Sequence, residues 1–123
     1  MPHVLVVDDH DDARELLTLV VGSSGYSVAA AGNGREALEE ARRQRPDVIV
    51  MDLFMPEMDG YEASLALKAD PDLAPVPIIA YTAKTNRPEM DTSPFAAFCI
   101  KPCLPSDLLA LIAKVLAAPP PSV

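Results

Sequence analysis

Four short apolar runs in this chain each stop on a residue with chemistry of its own. Val4-Leu5-Val6-Val7 stops at Asp8 and Asp9, the run from Asp47 ends on Asp52, the run from Pro77 ends on Thr82, and the run from Phe95 ends on Lys101. A fifth, weaker run covers Tyr26 to Ala30. Runs of this length that are apolar at consecutive positions are buried on both faces, which is the condition of a parallel strand. Helical spacing separates them. Ala13, Leu16, Leu17, Val20 and Val21 recur on one helical stripe, Asp11 or Asp12 is placed to cap it, and the segment from Gly22 to Gly25 ends it. Gly32 and Gly34 precede a second helix that carries Ala37, Leu38 and Ala41 and closes on Arg42, Arg43 and Arg45, where the helix dipole favours positive charge. Pro46 stops it. A third helix is predicted from about Tyr61 to Ala69 and a last one from Pro105 to Ala118, with Pro105 suited to the first turn and Pro119 to Pro121 unable to continue it.

Strands alternating with helices imply an α/β fold: a parallel sheet, right-handed crossovers and helices on both faces. One helix is due between Thr82 and Phe95, but Asn86, Pro88, Asp91, Ser93 and Pro94 fall there, so this fourth helix is expected to be short or irregular. At 123 residues, half of them apolar, the chain suits one packed domain, read as 1–118, with a proline-rich tail or linker stub at 119–123. Its 10 Lys+Arg against 18 Asp+Glu give a net charge of −8, which argues against direct nucleic-acid binding and against a hold on anionic lipid. No apolar run is long enough to span a bilayer, and the first residues lack the basic region and long apolar stretch of a signal peptide, so a cytoplasmic protein is expected. Two cysteines, Cys99 and Cys103, make neither a disulfide framework nor a zinc set; Cys99, inside an apolar run, reads as a small buried hydrophobe.

Ligands of open α/β sheets collect outside the carboxyl ends of the strands, and that is where Asp8, Asp9, Asp52, Thr82 and Lys101 fall. Three carboxylates converging on one pocket repel one another, and a hard divalent cation with oxygen ligands, Mg²⁺ or Mn²⁺, relieves that repulsion. Taken singly, each residue has an ordinary explanation: adjacent acids cap helices, a threonine ends a strand, a lysine sits on the surface. Their occurrence together at four strand ends is the specific signal. His3 and His10 have no partner pattern, and Met51, Met55 and Met58 read as packing and loop residues.

In these residues the chain resembles the receiver domains of two-component response regulators. The resemblance spans roughly Val4 to Leu116 and rests on Val-Val-Asp-Asp at 6–9, Met-Asp-Leu-Phe-Met-Pro-Glu-Met-Asp-Gly at 51–60, Tyr-Thr-Ala at 81–83 and Lys-Pro at 101–102. It implies a flavodoxin-like five-stranded parallel sheet in the order 2-1-3-4-5. It implies Asp52 as the phosphoacceptor nucleophile, a metal held by Asp8, Asp9, Asp52 and the Phe54 carbonyl, and Lys101, Thr82 and the Ala83 N–H as partners of the phosphoryl oxygens. It also implies a phosphoryl donor that is a histidine kinase or a histidine phosphotransfer protein. Thr82 and Phe98, three residues before Lys101, would be the switch pair, with Phe98 lacking the hydroxyl that a tyrosine there carries. The domain would be an autocatalytic phosphoryl acceptor rather than a turnover enzyme.

Two departures from the family stand out. Thr82 and Lys101 are closer in sequence than usual, and Ser93-Pro94-Phe95-Ala96-Ala97 replaces the customary small-residue turn. The last helix is apolar on more than one face, with Leu108, Leu109, Leu111, Ile112, Val115 and Leu116, so a homodimer through the face of the fifth strand and last helix is an expectation beside simple core packing. Phe54, two residues after the acceptor, is expected to hinder water and prolong a phosphoryl state. Among rival readings, a phosphohydrolase wants a second acid two residues after its nucleophile, where Phe54 stands. A flavin site wants a Ser/Thr/Gly-rich loop where Asp8 and Asp9 stand. A phosphorylation-independent interaction module of the same fold remains the alternative.

Overall fold

A computed structural model of the protein describes residues 2–53, 60–82, 94–100 and 103–117. Five parallel strands, β1 (His3–Val7), β2 (Ser27–Ala31), β3 (Val48–Asp52), β4 (Ile78–Thr82) and β5 (Ala97–Ile100), form one sheet in the order β2-β1-β3-β4-β5. The described helices are α1 (Asp11–Ser23), α2 (Gly34–Arg43), α3 (Gly60–Ala69) and α4 (Pro105–Ala117). The sheet order and the strand–helix alternation are those expected. The short or irregular helix expected between Thr82 and Phe95 falls almost wholly on 83–93, outside the described residues, as does the 119–123 tail.

Alternation along each strand sorts the core into two layers. Leu5, Val7, Ile49, Met51, Ile78 and Ala80 face α2 and α3, packing with Ala37, Leu38, Ala63 and Leu67. Val4, Val6, Val48, Val50, Ile79 and Cys99 face α1 and α4, packing with Leu17, Val21, Leu108 and Ile112. Both faces are covered, so β1 and β3 are buried along their whole length, which explains their unbroken apolar runs.

Three local readings are corrected. His10, not Asp11 or Asp12, occupies the N-cap of α1 and makes no side-chain cap there; Asp11 and Asp12 lie in the first turn, where the dipole favours acids, and Asp11 pairs with Arg14 at 2.5 Å. Leu16 belongs to the apolar spacing of α1 but is 56% exposed, because the sheet reaches only the Leu17–Val21 side. Cys99 is buried as expected, yet its sulfur is paired with that of Cys103. In α2, the cap is Asn33, whose Oδ1 accepts from Glu36 N–H at 2.9 Å while Glu36 Oε1 accepts from Gly32 N–H at 2.8 Å. Of the α4 leucines, Leu108 is buried, and Leu109, Leu111 and Leu116 are partly buried against the core. The apolar excess of that helix is therefore largely absorbed by packing.

Candidate functional site

Parallel register brings the acids together. β1 and β3 pair with Val7 opposite Met51, so the next residues, Asp8 and Asp52, stand level on adjacent strands at their carboxyl ends. Asp8 N–H donates to the Ala31 carbonyl at 3.1 Å, extending the β1–β2 ladder one residue past the strand. Arg14 Nη1 donates to the Asp8 carbonyl at 2.9 Å, so the first turns of α1 hold the same residue from above.

Asp8 is fully buried and Asp52 is 3% exposed. Asp8 Oδ1 accepts from His10 N–H at 2.9 Å. Among the described residues, Asp8 Oδ2 and Asp9 Oδ1 are buried side-chain oxygens with no hydrogen-bond partner. His10 Nδ1 stands 3.3 Å from Asp8 Oδ1 and 3.2 Å from Asp9 Oδ1; the second is a close approach without hydrogen-bond geometry. One ligand atom from each of Asp8, Asp9, His10 and Asp52 lies within 4.8 Å of all the others. Orphaned carboxylate oxygens are costly to bury, and a hard cation satisfies several at once. The donor set, three carboxylates with one imidazole at the rim, fits a divalent cation.

Gly60 explains why Asp52 sits where it does. Its N–H donates to the Leu53 carbonyl at 3.1 Å as α3 begins. A Cβ at this position would lie 2.8 Å from the Asp52 carbonyl carbon and from Leu53 Cα, and closer still to the Asp52 carbonyl oxygen. Only a glycine lets the start of α3 close on the backbone of the acid. Ser64 is buried and Oγ donates back to the Gly60 carbonyl at 2.7 Å, tightening the same turn.

β4 pairs with β3 so that Tyr81 lies opposite Asp52, which puts Thr82 one step further out on the neighbouring strand. Thr82 pairs with Ile100, so Lys101 is the next residue after the last rung of β5. Lys101, Ala83 and Phe54 lie outside the described residues. Phe98 is half-buried on β5 and packs edge-on against Phe95, ring centres 5.3 Å apart, and Phe95 approaches Tyr61 of α3 at 6.3 Å. The structure thus gathers Asp8, Asp9 and Asp52, gives Phe98 an aromatic neighbourhood, and adds His10 and Gly60. His10 carries no signal in the sequence beyond adjacency to the two acids. Gly60, at the end of Met-Asp-Gly, reads as punctuation until its contact with Asp52 is seen.

No helix among the described residues is long and apolar enough to cross a membrane. The family model for the response regulator receiver domain matches residues 4–113. The DNA-binding response regulator MtrA of Mycolicibacterium smegmatis is 36% identical over 112 residues, covering 89% of this chain and 48% of that protein, so the chain spans about half the length of this relative. Among solved structures, chemotaxis protein CheY4 of Vibrio cholerae superposes with a TM-score of 0.87 at 34% identity, covering 94% of this chain and 98% of that one. The receiver domain of sensor histidine kinase PA1611 from Pseudomonas aeruginosa, with a magnesium ion coordinated in its active-site cleft, gives a TM-score of 0.87 at 28% identity, covering 95% and 98%. With acids gathered at the ends of β1 and β3 of a 2-1-3-4-5 sheet, and with these matches along nearly its whole length, the chain belongs to the response regulator receiver domains of two-component signalling.

Proposed function

We propose that this receiver domain takes a phosphoryl group onto Asp52 from a histidine kinase or a histidine phosphotransfer protein, in a reaction dependent on Mg²⁺ (or Mn²⁺), and that the modification switches a protein-binding surface. The observation that carries this reading is the approach of Asp8, Asp9 and Asp52 to within 4.8 Å, with two buried carboxylate oxygens left without partners. Asp8, Asp9, Asp52 and the Phe54 carbonyl would hold the cation. When bound, it supplies the positive charge that offsets the attacking carboxylate and the phosphoryl oxygens.

The rest belongs to the chain's own groups. An Asp52 carboxylate oxygen attacks phosphorus, and the bond from phosphorus to the donor imidazole nitrogen breaks as the aspartyl phosphate forms. Asp8 and Asp9 add the negative charge that retains the cation beside that oxygen. Lys101 pairs with a phosphoryl oxygen as a point charge, and the Thr82 hydroxyl and Ala83 N–H donate to the others. Drawing Thr82 toward the phosphoryl group opens space beside the end of β4, into which Phe98 moves from its contact with Phe95. Its readout is packing, because Phe98 has no hydroxyl. The domain acts as a phosphoryl acceptor and not as a turnover enzyme, in the cytoplasm, without direct contact to nucleic acid or membrane. A second copy docked on the face of β5 and α4 would be a further partner.

The test is modification by acetyl phosphate, followed by intact mass. Wild-type protein gains one phosphoryl group only with Mg²⁺, and Asp52→Ala gains none. Modification that persists in Asp52→Ala, or a wild-type protein inert to both acetyl phosphate and beryllofluoride, would sink the proposal and leave the phosphorylation-independent module. Sedimentation with and without beryllofluoride tests the dimer; a monomer in both at high concentration excludes it.

A further inference from the structure

We propose that Cys99 and Cys103 form a reversible thiol–disulfide site that couples the redox state of the surroundings to the phosphoryl site, a coupling that rests on the function proposed above. These are the chain's two cysteines. Cys99 is on β5 and Cys103 stands two residues before α4. Their Cα atoms are 6.1 Å apart, inside the range a disulfide spans, and their sulfurs are joined. Bridging therefore needs no rearrangement of strand or helix.

Opening the bridge needs none either. α4 is held to the sheet by Leu108 and Ile112, both buried, with Leu109, Leu111 and Val115 packed behind them. The bridge closes only a four-residue separation, the kind of short loop that contributes least to stability. A bridge the fold does not need, in a domain that works beside a kinase, is of the class used for sensing more than for structure.

The two sulfurs differ in access. Cys99 is 4% exposed, within the core layer that faces α4. Cys103 is half-buried; both cysteines line an open cleft of about 400 Å³ with Asp107, Leu111 and Lys114, and Cys103 is the more exposed of the two there. A small-molecule disulfide therefore meets Cys103 first. The Cys103 thiolate attacks one sulfur of that disulfide and releases one small thiolate. The Cys99 thiolate then attacks Cys103 Sγ and releases the second. Two protein thiols and one small disulfide become one protein disulfide and two small thiols, with electrons and protons balanced.

The consequence follows from what the ring encloses. Ile100, Lys101 and Pro102 lie between the two cysteines in the chain, and Phe98 immediately precedes them. Closing the ring ties Cys99 on β5, the residue after Phe98, to Cys103 two residues before α4, so the junction of β5 with α4 beside the proposed switch residue Phe98 depends on the oxidation state.

The test equilibrates the full chain in glutathione buffers from reducing to oxidising, quenches with N-ethylmaleimide and weighs the intact protein. Beryllofluoride affinity with Mg²⁺ is measured at both extremes. The expected result is loss of both maleimide adducts together, restored by reductant, with the affinity of the two forms differing by about fivefold or more. Cys103→Ser, and independently Cys99→Ala, should abolish the redox dependence while still binding beryllofluoride. Two cysteines that stay alkylatable at every ratio, or a glutathione adduct that never resolves into a bridge, overturns the site. A bridge that forms with equal affinity in both states overturns the coupling. Absence of beryllofluoride binding in every form overturns the phosphoacceptor reading and with it the coupling, while the alkylation titration still decides the disulfide.

Discussion

Asp8→Asn should make the cation-free domain more stable, although it alters a fully buried residue. Asp8, Asp9 and Asp52 each place a carboxylate oxygen within 4.8 Å of the other two. At that separation and an effective dielectric constant of about 20, each like-charged pair costs about 3.5 kcal/mol. Solvent at Asp9, which is 22% exposed, and the partner interactions of Asp52 relieve part of this. Removing the Asp8 charge should leave a net gain of about 2 kcal/mol, or roughly 6–10 °C in Tm for a chain of this length. The side-chain amide keeps an oxygen for the His10 N–H and supplies a donor toward the orphaned Asp9 Oδ1. With Mg²⁺ the order reverses in kind: wild-type protein gains stability in proportion to the logarithm of the cation concentration, and the variant gains less because one ligand charge is gone. Calorimetric melting in EDTA and across a magnesium series reads both quantities. If Asp8→Asn melts below wild type in EDTA, the cluster is not repulsive. If both proteins respond equally to Mg²⁺, Asp8 does not help hold the cation.

Three further outcomes follow from single residues. Gly60→Ala forces a Cβ against the Asp52 carbonyl and Leu53 Cα, so it should cost about 1–3 kcal/mol in urea unfolding and weaken Mg²⁺ binding as well; wild-type values for both would show that the turn has room. Lys68→Met removes the ammonium that donates to the Ala74 and Val76 carbonyls at 2.9 and 2.8 Å, in a site where burial pushes that ammonium below the ordinary lysine range. The two carbonyls lose a charged donor, and a loss of about 1–3 kcal/mol is expected, with faster amide exchange at 74–76 as the local signature; unchanged exchange there would refute the anchoring role. Phe54→Asn should shorten the life of the phosphorylated state, measured as decay of the phosphorylated mass after acetyl phosphate is removed, and equal decay in the two proteins would remove Phe54 from that role.

Much of the architecture is legible in the chain because parallel strands buried on both faces leave an unmistakable pattern. Val4 to Val7 and Val48 to Met51 are apolar at consecutive positions since α1 and α4 cover one side and α2 and α3 the other. Helix ends were less legible. His10 sits at an N-cap without capping, and Asn33 caps α2 by accepting from Glu36 N–H, an Asn-x-x-Glu spacing visible in the sequence. Leu16 shows the limit of periodicity: spacing tells which residues share a stripe, whereas the width of the sheet beneath decides how much of the stripe is covered.

The sequence by itself determined the fold class, the order of elements and which residues carry charge and nucleophilic oxygen at the strand ends, because strand period, helix period and turn chemistry are local properties. Tertiary structure decided how close those residues come. Register alone sets Asp8 level with Asp52, and two acids 44 residues apart in the chain meet through ladder hydrogen bonds that neither residue encodes. The same is true of Gly60 against the Asp52 backbone. Each is a contact made by how strands and helices dock, and docking is a property of the whole core, spread over many residues and carried by none of them singly.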